Sequence, residues 1–266
     1  MKKLLTLTAL FAAVSGISAE TTSTKKIDVK NQSFMERVGG YYYTVLSKGL
    51  LSSEDQSEPD SAWLNYLNAS YKLSKDTSIS TTLRFEVVDS NSGDRFNELD
   101  QRVAISSKIY NEGMFSAKAY MTVELPTSRN SQDDDRIMRL KPAVALTTKF
   151  DDYNTLMTYG GFNKTMYNSA NNSIADTERH YYSTWIVFTN KYISEKYVLK
   201  AEYSSTLSHV AGTSDLTIRK DENDELNLGV EFNIAGFDIN PYIVHGPSGL
   251  KASNTLGGGV QVFKPF

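Results

Sequence analysis

Strict two-residue alternation, sustained over ten or more residues and repeated along the chain, excludes most folds open to this sequence. In "FSAKAYMTVEL", Phe115, Ala117, Ala119, Met121, Val123 and Leu125 oppose Ser116, Lys118, Tyr120, Thr122 and Glu124. Earlier, Ile79, Leu83, Phe85 and Val87 oppose Ser80, Thr82, Arg84 and Glu86. Next, Leu99, Val103, Ile105 and Ile109 oppose Asp100, Arg102, Ser106 and Lys108. A β-strand turns successive side chains to opposite faces, so this period is a strand signal. The runs are about twice the usual length of a soluble strand.

About twelve strands are expected, at 38–49, 61–73, 77–89, 97–110, 113–125, 136–150, 153–167, 179–192, 196–208, 225–235, 237–246 and 254–264. The composition agrees, with 16 tyrosines, 12 phenylalanines and only 6 prolines. In "GGYYYTVL", "TYGGFNK" and "HYYSTWIVF" both faces carry aromatics or glycine, so a bulge or register change is expected there. Beyond the first 19 residues no stretch shows a helical period.

The connections alternate in length. "SKDT", "NEG", "DDYN", "SEK" and "AG" are short, and six long polar segments fall between them. Strict alternation places every tight turn at one end of the strands, together with both termini. Tyr71, Tyr110, Phe115, Phe150, Tyr153, Tyr192, Tyr197, Phe232 and Phe237 flank those turns, as a girdle at a membrane interface would. A soluble barrel has the same period with its polar face outward. Strand length, turn asymmetry and the aromatic ends favour the membrane.

"MKKLLTLTALFAAVSGISAE" has two lysines, an apolar run and then small residues ending at Ala19, the form of a secretory signal peptide. The run is too short to span a bilayer as a helix. The expected organisation is a signal peptide at 1–19, a polar segment at 20–36 and a barrel at 37–266. Without a cysteine there is no disulfide framework. Removing the leader moves the formal charge from −3 to −5, and nothing in that balance suggests nucleic acid.

The whole mature chain resembles the Gram-negative outer-membrane β-barrel class, all-β and up-and-down, with porin-like members of twelve strands. Members commonly end on an aromatic residue read by the barrel assembly machinery, the role this resemblance gives Phe266. Val262, Val260 and Leu256 share its face, while Lys264 departs from the class pattern. The resemblance implies an outer-membrane location with periplasmic termini. The implied partners are membrane lipids and lipopolysaccharide, the assembly machinery and periplasmic chaperones, and small hydrophilic solutes. Homo-oligomers stay open.

Inward faces then name the pore-lining candidates: Arg84, Glu86, Asp100, Arg102, Lys118, Glu124, Arg139, Lys141, Lys200 and Glu202. Arg84, Arg102, Lys118 and Lys141 are expected near mid-height, and Glu98, Asp100 and Glu124 nearer the mouth. A basic wall in a narrow lumen favours anions. The expected activity is therefore passive diffusion with a weak anion preference. An occluded structural or adhesive barrel is the alternative.

Catalysis finds little support. The three histidines are His180, His209 and His245. Omptin-type proteases use an Asp-x-His pair, and the nearest approach is Glu178–His180. The phospholipase class places a serine two residues after its histidine, whereas Val210 and Ala211 follow His209 and only Ser248 lies near His245. A mouth-site hydrolase would need base, orienter and nucleophile together. "QDDDR" at Gln132–Arg136 lacks the spacing of a calcium loop and reads as a solvated external loop. No metal or cofactor is expected, and no enzymatic activity.

Overall fold

A computed structural model of the chain describes residues 33–48, 61–89, 95–168, 179–194, 196–210, 219–220, 225–245 and 256–266. The expected leader and most of the segment at 20–36 lie outside them. Alternation becomes strand along nearly the expected boundaries. The long strands are β1 (Val38–Lys48), β2 (Ser61–Lys72) and β3 (Thr77–Asp89), with a short β4 (Arg95–Glu98) following. Then come β5 (Gln101–Glu112), β6 (Phe115–Leu125), β7 (Arg136–Lys149) and β8 (Asn154–Tyr167). β9 (Arg179–Ser194) and β10 (Tyr197–Val210) precede a two-residue β11 (Arg219–Lys220). β12 (Glu225–Ile234), β13 (Phe237–His245) and β14 (Leu256–Pro265) complete the set.

Each long strand pairs antiparallel with its neighbour in sequence, and β14 pairs back onto β1. The result is a closed antiparallel barrel of twelve long strands. β4 adds to β3, and β11 to β10. Closure leaves no sheet edge, which a spanning strand in lipid requires. At the seam Phe266 and Gly40 exchange backbone hydrogen bonds of 3.0 Å each way. A Cβ on Gly40 would stand 2.3 Å from the Asn68 carbonyl and 2.6 Å from the Phe266 ring, so glycine makes room for the seam. Lys264 has a local explanation. Its ammonium donates to the Ala235 carbonyl and lies 4.5 Å over the Phe237 ring.

The outward face is apolar, with Leu83, Ile105, Met121, Val144, Leu146, Leu228 and Ile243 all exposed. Tyr110, Phe115, Phe150, Tyr153, Tyr197 and Phe237 are exposed near the tight turns. Gly113 and Gly236 take positive φ in two of those hairpins, where a non-glycine residue would be strained.

Several expectations need correction. Pairing runs without a register shift through Gly39–Gly40 and Gly160–Gly161. The irregularities instead fall at Lys108/Tyr110, Arg136/Met138 and Tyr197/Leu199, close to strand ends. β5 begins later than expected because Leu99 and Asp100 leave the strand path. Two helical turns occur without a sequence period: α1 (Phe34–Arg37) and α2 (Arg129–Asp133). α2 lies in the segment expected to be a solvated loop. Its Ser131 is buried, and Ser128 and Ser131 both donate to Asp100.

Candidate functional site in the barrel lumen

The inward positions of β3, β5, β6 and β7 bring five charged side chains to one point. Register explains it: Arg102 pairs with Glu124, Glu124 with Arg139, and Thr122 with Lys141. Glu124 is 2% exposed and is the hub. Its Oε1 accepts from Lys141 Nζ at 2.6 Å, Arg102 Nε at 2.8 Å and Arg84 Nη1 at 2.9 Å. Its Oε2 accepts from Arg139 Nη1 at 3.2 Å. Arg139 also donates to Thr165, and Arg84 to the Asp100 carbonyl. One carboxylate thus serves four cations.

Asp100 is held separately, by Ser128, Ser131 and Arg136, whose Nη1 lies 2.7 Å from Oδ2. Glu86 accepts from Asn97 at 3.2 Å. Lys118 lies 5.4 Å over the Tyr120 ring, away from the hub. On the far wall, Lys200 stands 2.8 Å from Glu202 and 3.6 Å from Glu231.

Of the pore-lining candidates, Arg84, Glu86, Asp100, Arg102, Glu124, Lys141 and Glu202 are buried, and Lys118, Arg139 and Lys200 are half-buried. Arg84, Arg102, Glu124, Arg139 and Lys141 converge, and Lys200 joins Glu202. Glu86, Lys118 and Asp100 do not join the hub. For Glu124 the expected layering fails: strand stagger brings it level with Arg84, Arg102 and Lys141 instead of nearer the mouth. Arg136, absent from the candidates, pairs with Asp100.

The sequence also gave no sign of an apolar girdle inside the lumen. Tyr43, Val45, Leu64, Tyr66 and Phe263 form one contiguous buried cluster with Ala143, Ala145, Met157, Tyr159, Trp185 and Val187. The first group sits on β14, β1 and β2, the second on β7, β8 and β9, across the ring. Contiguity therefore crosses the lumen. The Arg84 guanidinium lies 5.7 Å over the Tyr66 ring, so the cationic hub abuts this cluster.

His180 and His209 are backbone partners across β9 and β10, and His245 ends β13. No three metal-ligating side chains gather among the described residues.

No protein-family model matches this sequence, and no curated protein matches it. Solved structures do. An outer-membrane channel from Pseudomonas putida F1 superposes with a TM-score of 0.56 at 12% identity, covering 86% of this chain and 94% of that one. The NanC porin superposes with a TM-score of 0.52 at 10% identity, covering 83% and 97%. At such identities the likeness is one of fold. The chain has the fold of a twelve-stranded, porin-like outer-membrane β-barrel.

Proposed function

We infer that this protein is an outer-membrane channel that passes small hydrophilic solutes by passive diffusion and prefers anions. The observation that carries the reading is the hub at Glu124, where four cations face one carboxylate inside a closed barrel. Charged groups lining a narrow passage set its selectivity, because a permeating ion of opposite sign is stabilised there. Arg84, Arg102, Arg139 and Lys141 supply the attraction, and Glu124 holds their side chains to one wall. The channel-type fold neighbours support the same reading. In this account the tight turns and both termini face the periplasm. Phe266 acts as the assembly signal, and 1–19 is a cleaved leader.

A second reading, an occluded barrel acting through its external loops, is favoured by the apolar cluster that crosses the lumen. Planar-bilayer recording separates the two. Refolded protein should give discrete conductance steps, and heat-unfolded protein none. A folded, membrane-inserted protein that gives no steps would remove the channel reading.

A further inference from the structure

The hub carries more positive charge than its partners balance. Even with Glu86 and the Asp100–Arg136–Asp134 group counted, cations still outnumber anions, five to four, and at the hub itself four cations share one carboxylate. Arg84, Arg102, Lys141 and Glu124 are all buried. Buried charge without a partner is costly, so such a wall attracts a counter-anion. Two donors stand ready beside it. Arg84 Nε and Tyr66 Oη are buried and have no hydrogen-bond partner among the described residues. Tyr66 is 0% exposed, and its ring lies under the Arg84 guanidinium.

What adjoins these donors is mostly aromatic and thioether surface, edged by phenol hydroxyls and an indole N–H. Tyr43, Tyr66, Met157, Tyr159 and Trp185 belong to the apolar cluster, which offers ring faces and a thioether. Chloride or phosphate would meet the charge but leave that surface unused. A polyhydroxylated anion would set most of its hydroxyls against ring faces and a thioether, with only a few phenol and indole groups to receive them. An anion with an apolar body satisfies both halves.

Building on the channel reading above, we propose that the lumen holds a binding site for organic monoanions bearing an aromatic or comparably apolar body. The carboxylate takes Arg84 Nε and Tyr66 Oη within the field of Arg102 and Lys141. The body lies against Tyr43, Met157 and Trp185, displacing apolar contacts that bridge the lumen in its absence. The site selects by two chemistries at once, charge and apolar surface.

The chain's two tryptophans allow a direct test. Trp63 faces outward at 47% exposure, whereas Trp185 is 2% exposed inside. In a Trp63→Phe background Trp185 becomes the only tryptophan, and the refolded protein is titrated in detergent with benzoate, glucuronate, benzyl alcohol and sodium chloride. Benzoate should saturate, with a midpoint about tenfold or more below the others, the scale expected for burying a phenyl ring or adding a charge-assisted hydrogen bond. Tyr66→Phe should weaken benzoate severalfold. Met157→Ser, on the opposite wall, should weaken benzoate and leave glucuronate unchanged. Equal midpoints for benzoate and glucuronate would overturn the apolar half. Equal midpoints for benzoate and benzyl alcohol would overturn the charged half, and no saturable response would overturn both. Because the titration needs no conduction, silence in a bilayer would remove the channel reading without touching this result.

Discussion

Replacing Glu124 by glutamine removes the one carboxylate at the hub while keeping its shape. The four cations lie 2.6–3.2 Å from its oxygens. At about 3 Å and an effective dielectric near 20, one unit pair is worth about 5 kcal/mol, and in bulk water about 1 kcal/mol. Repulsion among the cations offsets part of the sum. Removing one partner from a buried ion group costs about 3–5 kcal/mol, because the others are left uncompensated. We expect Glu124→Gln to lose that much, read by urea titration of the barrel refolded into vesicles and followed by tryptophan fluorescence. Lys141→Met in the same background should recover part of the loss by relieving repulsion. A loss under about 1 kcal/mol would refute the reasoning, since it is the value for a solvated, screened pair.

Three other substitutions and tags probe the frame. Met121→Arg, on the membrane face, should destabilise by about 2–4 kcal/mol, whereas the inward neighbour Thr122→Gln should cost under half as much; equal effects would overturn the parity of β6. Gly40→Val should slow folding, measured as a lower fraction of heat-modifiable barrel on gels, because a Cβ there meets Asn68 and Phe266 at the seam; unchanged folding would show that the seam tolerates a side chain. An epitope tag at 133 should be labelled on intact cells and one at 152 should not, and the reverse pattern would invert the topology.

The wall of the barrel was readable because alternation is local. In β3, β5 and β6 the large apolar residues fall at every second position, broken only by residues such as Thr81 and Ser107, so the lipid face could be assigned from spacing alone, and Leu83, Ile105 and Met121 are exposed as that spacing requires. Register is not local. Glu124 meets Arg84 only because stagger accumulates over three strands, and a height counted along each strand misses it. The apolar girdle escaped for another reason. Tyr43 is flanked by Tyr42 and Thr44, and Trp185 by Thr184 and Ile186, so no parity separates the faces there. Outward-facing polarity was equally hidden. Asn65 lies on the membrane side of β2, buried among Thr44, Tyr42 and Trp63, with its carboxamide accepting from Tyr42 Oη at 2.7 Å. Arg136 was read as part of a loop motif, and only the fold of α2 brings it to Asp100.

The central claim, a lumen whose basic wall sets selectivity, is tested most directly by the reversal potential across a potassium chloride gradient. Wild-type channels should reverse on the chloride side of zero. Arg102→Glu combined with Lys118→Glu should move the potential toward the potassium side, because both residues stand at polar-face positions of the adjacent strands β5 and β6. Cation preference in the wild type, or an unmoved potential in the double variant, would contradict the account.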